Sequence, residues 1–445
     1  MKNKKKILVL GSGMVSRPGV TYLLKQNNLQ VTVASNELDV AQRLVKGFDN
    51  GNALFIDVDD TENLSKLIEA NDIVVSLLPW VFHVRVAELC LKFGKNMATT
   101  SYVSEGMRKL DAPVREKGLL FLNEIGVDPG IDHMSAMKVI NEVVREGGKI
   151  RHFYSYCGGL PAPDDNDNPF GYKFSWSPKG VILASRNAAK FLENGEIVDI
   201  PGKDLFLNYR METVEELGEF EVYPNRDSMP YKQIYGLEDA YTVMRGTYRY
   251  PGWCDTIKKM VDLGLVDDTP VENLESKSYK EMTAYLAGAK EGEDVIEKTS
   301  EKIGLSRDSE IIKRLEWLGL FSDEKVPKYN NCLDVLSHRM QEKLTYKPGE
   351  KDMLLMRHKF VVENIDGSQD LITSTLIDFG IPNGDSSMAR TVSLPLAIGV
   401  RLMAEGKINL TGVQISNQKE IYEPVLQELE ALNIKMEEKR TRIDK

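Results

Sequence analysis

Short apolar runs alternate with helix-like segments through the first third of the chain. The runs KILVLG, QVTVAS, ALFIDV, DIVVSLLP, NMATTSY and LLFLNEIG are each followed by apolar residues at helical spacing. Continuously apolar strands separated by helices are typical of a parallel sheet that is covered on both faces. The pattern therefore predicts a doubly wound, Rossmann-type α/β domain whose ligands lie beyond the carboxyl ends of the strands.

After Gly148 the pattern changes. The run KIRHFYSYCGG predicts a strand, and the long loop LPAPDDNDNPFGYKFSWSP that follows it is of a length usually found in binding loops or lids. Helical spacing returns over residues 253–345, and the next segment predicts a hairpin that turns at Asp366-Gly367. The run SSMARTVSLPLAIGVRLMAEG predicts an apolar helix, which we expect to pack on the first domain.

Composition narrows the class of protein. A formal charge of −10 over 445 residues argues against binding to nucleic acid or to an anionic membrane. The apolar run at residues 7–10 is too short for a signal peptide, and no run reaches the ~18 residues of a membrane span. The four cysteines are far apart and form no CxxC pair. We therefore expect a soluble cytoplasmic protein with reduced thiols.

A glycine-rich turn stands between the first strand and the first helix. In GSGMVSRPG, Gly11 and Gly13 allow a tight turn and a close approach to a pyrophosphate, which the helix N-terminus favours. Ser16 occupies the third position of the motif, where Gly or Ala is common. The turn predicts a dinucleotide site.

The end of the second strand does not decide between NAD and NADP. An acidic residue there would read the 2′-hydroxyl of NAD, and an arginine would read the 2′-phosphate of NADP. Ser35 and Asn36 at this strand end are neither acidic nor arginine, and the acidic Glu37 lies slightly beyond the expected position. Both cofactors stay open at this point.

Three arginines lie in turn-rich sequence in the middle of the chain. Arg226 lies in YPNRDSMPYK, and Arg245 and Arg249 lie in RGTYRY. A rigidly presented guanidinium is suited to planar, bidentate recognition of a carboxylate. After a cofactor domain, these arginines predict a dehydrogenase for a small substrate with several carboxylates.

Several motifs together resemble one family. The runs GSGMVSRP, TTSYVS, NEIGVDPGIDH, SYCGGLPAPDDNDNPFGYKFSWSP, YPNRDS, RGTYRY and SSMARTVSLPLA are similar to saccharopine dehydrogenases of the L-glutamate-forming type. The resemblance implies interconversion of saccharopine with glutamate and 2-aminoadipate 6-semialdehyde, with NADP or NAD as hydride carrier, in a homodimer. Family members often carry an arginine at the end of the second strand, and Ser35-Asn36 departs from that.

The resemblance also implies domain limits. They are a dinucleotide-binding domain of residues 1–130 completed by 387–445, a mixed α+β substrate and dimerisation domain of 131–252 and 346–386, and a helical insert of 253–345.

The same resemblance implies the site residues. The residues expected to contact saccharopine are Ser101, Tyr102, Asp128, Arg226, Thr247, Tyr248 and Arg249. The residues assigned to the cofactor are Gly11, Ser12, Gly13, Met14, Val15, Ser35, Asn36, Asp57, Val58, Leu77, Thr100, Val127 and Ser175.

The run LLFLNEIG is expected to end the sixth strand at the carboxyl edge of the sheet, so that Val127 and Asp128 in the following NEIGVDPGIDH would lie beside the nicotinamide. We expect Asp128 to be the acid–base group, with Cys157 and Tyr102 as the next candidates. Asp132 is expected to be the N-cap of the following helix, with His133 in its first turn. Glu124 and His133 are interpreted as structural. No metal site is expected, because one histidine among scattered carboxylates lacks ligand spacing.

Two other functions stay open at this point. A carboxynorspermidine dehydrogenase-like enzyme would condense an aldehyde with a diamine, but its cationic substrate fits poorly with Arg226 and Arg249. A non-catalytic dinucleotide-binding regulator would be expected to lack polar groups at the strand edge, where Tyr102 and Asp128 stand.

Overall fold

The protein folds as two compact units. The computed structural model describes residues 4–215 and 217–443. The first unit lies within residues 1–150 and 362–445, and the second unit is formed by residues 151–361.

Helices and strands follow one another closely along the chain. Up to residue 145 they are β1 Lys5–Leu10, α1 Arg17–Leu24, β2 Leu29–Ser35, α2 Leu38–Val45, β3 Gly51–Phe55, α3 Thr61–Glu69, β4 Ile73–Ser76, α4 His83–Phe93, β5 Asn96–Thr99, α5 Glu105–Arg108, α6 Asp111–Glu116, β6 Leu120–Leu122 and α7 Ile131–Arg145. From residue 149 to 363 they are β7 Lys149–Pro161, α8 Pro178–Leu183, β8 Ala189–Glu193, β9 Glu196–Ile200, β10 Arg210–Val214, β11 Gly218–Pro224, α9 Pro230–Ile234, β12 Thr242–Arg249, α10 Trp253–Leu263, α11 Tyr279–Ala287, α12 Val295–Ile303, α13 Glu310–Leu318, α14 Cys332–Lys343 and β13 Asp352–Glu363. The last elements are β14 Gln369–Phe379, α15 Ser387–Ala404, β15 Gly412–Gln414, α16 Lys419–Ala431 and β16 Glu437–Ile443.

A parallel sheet forms the centre of the first unit. Its strands lie in the order β15-β6-β5-β4-β1-β2-β3, and each neighbouring pair is parallel. Most side chains of β1, β4 and β6 are buried, as in a sheet that helices cover on both faces, and Leu8, Val74 and Phe121 are almost completely inaccessible. The predicted doubly wound sheet is therefore confirmed. The strand order reverses between β1 and β4, and a crevice for ligands opens beyond such a point.

The C-terminal segment completes this unit. β15 pairs with β6 in parallel, from Gly412 opposite Leu120 to Gln414 opposite Leu122. The long apolar helix α15, which contains Pro395, packs against α1 as expected. A Cβ atom on Gly19 of α1 would lie only 2.7 Å from the carbonyl oxygen of Ser393. Glycine at that position therefore permits the close approach of the two helices.

The expected domain limits stay a prediction, and the two compact units divide the chain after residues 150 and 361. α7 belongs to the first unit, where it packs against α16. β14 belongs there as well and pairs with β16 in antiparallel register. The helices from α10 to α14 belong to the second unit.

The second unit is built on a mixed sheet. Its strands lie in the order β10-β11-β12-β7-β13, and β8 pairs with both β12 and β9. β12 runs antiparallel to β11 and parallel to β7. One face of this sheet packs aromatic side chains, including Tyr156, Phe220 and Tyr248.

Local signals in the sequence account for the helices of the second unit. Ser278 and Glu281 form a capping box at the start of α11. Asp294, Ser309 and Asn331 accept N-terminal backbone N–H groups of α12, α13 and α14. These caps explain why the region predicted as helical divides into separate short helices.

Within residues 4–215 and 217–443, no helix combines the length and the apolar character that crossing a membrane requires.

Candidate functional site

The glycine turn after β1 has the geometry that a dinucleotide needs. Gly11 has a φ of +103°, and a Cβ atom there would lie 3.0 Å from the carbonyl oxygen of Leu77. At Gly13 no atom of the described residues lies within 4 Å of the position of a Cβ atom. The backbone N–H groups of Gly13, Met14 and Val15 make no hydrogen bond with the described part of the chain. These residues fit a pyrophosphate that approaches the N-terminus of α1.

Ser16, at the third position of the glycine motif, hydrogen-bonds back to the glycine turn. It is buried, its hydroxyl donates to the carbonyl oxygen of Gly13 at 2.8 Å, and its backbone N–H donates to the same oxygen at 3.0 Å. Ser16 thus closes the turn.

The carboxyl end of β2 presents a hydroxyl and an amide. The Ser12 hydroxyl donates to the Ser35 hydroxyl oxygen at 2.8 Å, and the backbone N–H of Glu37 donates to the same oxygen at 3.1 Å. Ser35 is buried, whereas Asn36 is exposed beside it. Ser35 therefore connects the glycine turn to the end of β2, and the expected cofactor residue Asn36 lies exposed at this strand end.

The parallel sheet brings the other expected cofactor residues of the first unit to the same edge. Because all its strands are parallel, their carboxyl ends lie together. Five further residues follow these ends, namely Asp57 and Val58 after β3, Leu77 after β4, Thr100 after β5 and Val127 after β6.

Tyr102 and Asp128 form a hydrogen-bonded pair in the first unit. The Tyr102 hydroxyl donates to Oδ1 of Asp128 at 3.0 Å. The two residues lie in the loops after β5 and β6, and both are half-buried. A phenol in contact with a carboxylate can pass a proton in either direction, so the pair can serve as a general acid or base.

His83 connects the ends of β4 and β5. Its Nδ1 lies 2.9 Å from the Ser76 hydroxyl, and its Nε2 lies 2.8 Å from the hydroxyl of Ser101. Burial lowers the pKa of His83 to about 4. A neutral imidazole therefore holds Ser101, which is one of the expected substrate residues.

The prediction that Asp132 is the N-cap of α7 is wrong. Gly130 is the N-cap, with a φ of +149°, and a Cβ atom there would collide with the carbonyl of Gly126. The helix begins at Ile131, two residues earlier than expected, because this glycine allows the chain to turn at that point. Asp132 lies in the first turn and accepts the backbone N–H of Gly130 at 2.5 Å. His133 lies in the first turn, as predicted.

In the second unit, strand register collects polar residues on one face of the sheet. Thr247 of β12 lies opposite Cys157 of β7 and opposite Tyr223 of β11. Arg249 lies on the same face as Thr247, because side chains two residues apart on a strand point the same way. Cys157 is buried. Three of the expected site residues of this unit therefore share one surface.

Arg249 lies in an aromatic box, which we define as Tyr172, Tyr223 and Trp253. Its guanidinium carbon lies 4.9, 5.8 and 5.4 Å from their respective ring centroids. Arg249 is only 4% exposed, and its Nη1 donates to the carbonyl oxygen of Tyr248 at 2.7 Å. Among the residues that the structure describes, no carboxylate pairs with Arg249, and its Nε has no acceptor. A buried guanidinium in this state favours an external anion.

Tyr248 and Arg226 are placed differently from Arg249. The Tyr248 side chain packs on the opposite face of the sheet against Tyr156 and Phe220, and burial raises the pKa of Tyr248. A contact of Tyr248 with substrate would therefore use its backbone. Arg226 is exposed in the turn after β11, with a φ of +55°, and its carbonyl oxygen accepts the Lys190 N–H at 2.9 Å.

The long loop after β7 is held firmly within its unit. The buried Lys173 ammonium contacts Asp167 and Glu350, each at 2.7 Å. Hydrogen bonds from Lys173 and then from Lys347 lower the pKa of Asp167 to about 2.

The expected cofactor residue Ser175 lies in the same long loop. It is buried, and its hydroxyl has no partner among the described residues. Ser175 belongs to the second unit, whereas the other expected cofactor residues belong to the first.

Sequence reasoning missed His83 and the aromatic box around Arg249. Tyr172 and Trp253 lie in aromatic-rich runs, FGYKFSWSP and YRYPGW, which is the signal that could have identified them. His83 offers no such signal, because its contacts join the ends of two strands that are separate in sequence. Within residues 4–215 and 217–443, no cluster of three or more His, Cys, Asp or Glu side chains is arranged to hold a metal ion.

The sheet and its glycine turn define a Rossmann-type dinucleotide-binding protein. Residues 7–122 match the family model of the saccharopine dehydrogenase NADP binding domain, and residues 126–434 match that of the saccharopine dehydrogenase C-terminal domain. The chain belongs to the saccharopine dehydrogenase family.

Individual relatives are similar over nearly the whole chain. Saccharopine dehydrogenase [NADP(+), L-glutamate-forming] of Schizosaccharomyces pombe is 42% identical over 97% of this chain and 98% of its own length. Mitochondrial alpha-aminoadipic semialdehyde synthase of Rattus norvegicus is 39% identical over 98% of this chain but only 48% of its own length. The solved structure of apo saccharopine dehydrogenase (L-Glu forming) from Saccharomyces cerevisiae matches with a TM-score of 0.90 at 39% identity, covering 98% of this chain and 100% of that one.

Proposed function

We propose that this protein is an NADP-dependent, L-glutamate-forming saccharopine dehydrogenase. It interconverts saccharopine with L-glutamate and 2-aminoadipate 6-semialdehyde. The near-complete coverage of relatives with that printed activity supports the proposal. The structural observation that carries it is the buried Arg249, which has no carboxylate partner in the described chain.

The chemistry of saccharopine suits Arg249. Saccharopine carries three carboxylates around one secondary amine, so its binding requires fixed cations. Arg249 is fixed by the Tyr248 carbonyl and by the aromatic box. Arg226 provides a second, exposed guanidinium in the turn after β11. We assign both arginines to substrate carboxylates, and Thr247, on the same face as Arg249, to a further hydrogen bond.

The cofactor site fits NADP or NAD through the glycine turn. When bound there, the nicotinamide ring accepts or donates a hydride. Gly13, Met14 and Val15 would hold the pyrophosphate by their backbone N–H groups. Asn36 would lie at the adenosine ribose, and as a neutral amide it can donate hydrogen bonds to a 2′-phosphate without the charge of an arginine.

Proton transfer is assigned first to Asp128. Oxidation of the carbon beside the secondary amine gives a C=N bond, and water then adds to that bond. A base has to take a proton from the amine and then from the water. Asp128, with Tyr102 hydrogen-bonded to it, provides such a base in the first unit. Cys157 is the alternative in the second unit.

A spectrophotometric assay at about 340 nm tests this function, since the absorbance there reports the reduced nicotinamide. Saccharopine with NADP⁺ should give reduced cofactor and glutamate. Arg249→Lys should raise the KM for saccharopine by roughly 30-fold or more, equivalent to a loss of about 2–5 kcal/mol of binding, while the KM for NADP⁺ stays the same.

Arg339→Lys is the matched control. Arg339 is also buried, and it lies 4.7 Å from the Tyr279 ring centroid, but it has carboxylate partners in Glu324 and Glu342. Its variant should leave the KM for saccharopine unchanged. An equal rise in both variants would contradict the assignment of Arg249, and no turnover of saccharopine by folded protein would contradict the function itself.

The two other functions predict different results in the same assay. A carboxynorspermidine dehydrogenase-like enzyme would oxidise reduced cofactor with an aldehyde and a diamine. A non-catalytic regulator would bind the cofactor and turn over neither substrate.

Location and assembly belong to the proposal as well. We propose a cytoplasmic homodimer. The four buried cysteines, all present as free thiols, are compatible with a reducing compartment. Sedimentation of the purified protein measures the assembly state, and a monomer at working concentration would contradict the dimer.

A further inference from the structure

Glu124 occupies an unusual position at the carboxyl edge of the parallel sheet. It lies in the loop after β6, it is 7% exposed, and it has a φ of +52° although it is not a glycine. A buried carboxylate in a left-handed conformation is unfavourable unless the surrounding structure holds it. Glu124 takes no part in the proton transfer proposed for Asp128 and Tyr102.

Glu124 holds the loop after β5 on both sides of Tyr102. Its backbone N–H donates to the carbonyl oxygen of Ser101 at 3.2 Å. Its side-chain Oε1 accepts the backbone N–H of Val103 at 2.9 Å. The two hydrogen bonds thus fix the residue before Tyr102 and the residue after it.

The Tyr102–Asp128 hydrogen bond is a second link between the loops after β5 and β6. Tyr102 donates to Asp128, which lies in the same loop as Glu124. The loops after β5 and β6 are therefore joined at two places, by Glu124 at one and by the proton-transfer pair at the other. Any movement of the Glu124 carboxylate would shift the backbone that carries the Tyr102 hydroxyl.

Neighbouring groups hold Glu124 in its turn. Nε2 of His133, from the first turn of α7, lies 2.7 Å from Oε2 of Glu124, and His133 is fully buried. The Ser416 hydroxyl donates to the Glu124 carbonyl oxygen at 2.6 Å. Both the side chain and the backbone of Glu124 are thus fixed.

We infer that Glu124, held by His133, is a positioning residue for the Tyr102–Asp128 pair. This inference rests on the proposed function, in which that pair transfers a proton. A catalytic pair on two loops needs support that keeps it close to its productive geometry, and a displacement of about 1 Å can lower a rate by roughly a hundredfold.

Three variants test the inference by steady-state kinetics. Glu124→Ala removes the carboxylate and should lower kcat by roughly tenfold to a hundredfold, with the KM for NADP⁺ unchanged. Glu124→Gln keeps an oxygen acceptor for the Val103 N–H and should restore most of kcat. In an Asp128→Asn background, Glu124→Ala should lower kcat by less than about threefold further, because the two residues act through one step.

Glu428→Ala is the matched control. Glu428 is also a partly buried glutamate of the first unit, but its partners Tyr22 and Arg401 lie on α1 and α15. Its variant should keep the wild-type kcat. If Glu124→Ala keeps kcat within twofold of wild type, or if its effect multiplies fully with that of Asp128→Asn, Glu124 is only structural and the inference is overturned.

A fluorine NMR measurement separates this inference from the proposed function. With 3-fluorotyrosine incorporated, the Tyr102 resonance is identified by its loss in Tyr102→Phe. That resonance should move in Glu124→Ala and stay near its wild-type position in Glu124→Gln and Glu428→Ala, whatever the substrate of the enzyme. An unmoved resonance in Glu124→Ala overturns the inference even if saccharopine is turned over. Should Glu124→Ala not fold, His133→Gln takes its place with the same expected shift.

Discussion

Protonation of His83 should destabilise the first unit in a defined pH range. Burial lowers the pKa of His83 from an ordinary 6.5 to about 4, and its two nitrogens contact Ser76 and Ser101. Between these two pKa values the unfolded chain binds one proton more than the folded chain. The free energy of unfolding therefore falls as the pH falls. The stabilising contribution is complete above about pH 6.5 and is lost on approach to about pH 4.

The expected size follows from the difference between the two pKa values. At about 1.36 kcal/mol per pH unit, a fall from 6.5 to about 4 corresponds to about 3 kcal/mol. Such a loss is a large part of the ~5–15 kcal/mol by which a domain is stable. It should therefore be visible in a denaturant titration.

Urea unfolding of wild type and of His83→Asn, followed by circular dichroism at several pH values between about 4.5 and 8, measures this effect. The asparagine can still hydrogen-bond to Ser76 but does not titrate. Below pH 6.5, the unfolding free energy of wild type should fall more steeply than that of His83→Asn, by up to about 1 kcal/mol per pH unit. His338→Asn, which alters a side chain that is 40% exposed, should keep the wild-type slope. Parallel curves for wild type and His83→Asn would refute the reasoning.

Three further predictions concern the cofactor, the chemistry and the long loop. Asn36→Arg should raise the ratio of kcat/KM for NADP⁺ to that for NAD⁺ by roughly tenfold or more, because a guanidinium adds a charged hydrogen bond to the 2′-phosphate; an unchanged ratio would mean that another residue decides. Asp128→Asn should lower kcat by roughly tenfold to a thousandfold at neutral pH; a kcat within twofold of wild type would assign proton transfer to another candidate. Lys173→Met leaves the Glu350 carboxylate without its buried cation and should lower the free energy of unfolding by about 3 kcal/mol. Lys179→Met, at an exposed ion pair, should lower it by less than about 1 kcal/mol, and equal losses in urea unfolding would contradict the role of burial.

The fold of the first unit could be predicted because its signals are local. Apolar strands between amphipathic helices leave few arrangements other than a doubly wound sheet. The glycine turn was likewise visible, since Gly11 and Gly13 come directly after β1. The N-cap of α7 was predicted wrongly because the tight turn at Gly130 depends on a contact with Gly126, which local preference does not reveal.

The candidate site could be predicted only in part. Tyr102, Asp128 and Arg249 could be named as expected site residues, but their hydrogen-bond partners and burial could not be predicted. The pairing of Tyr102 with Asp128 depends on two loops that meet at the sheet edge. The isolation of Arg249 from carboxylates depends on which side chains share its face of the mixed sheet, and that face is set by strand register.

The sequence by itself determined the class of the first unit, its glycine turn and the types of chemical group available. These features arise from residues that are close along the chain, where periodicity and backbone preference act directly. The tertiary structure alone decided which groups are buried, which are paired and which are held. His83 contacts the Ser101 hydroxyl, and Glu124 accepts the backbone N–H of Val103, because strands that are separate in sequence end side by side. Burial and pairing depend on distances between groups in the folded structure. The spacing of residues along the chain does not reveal these distances.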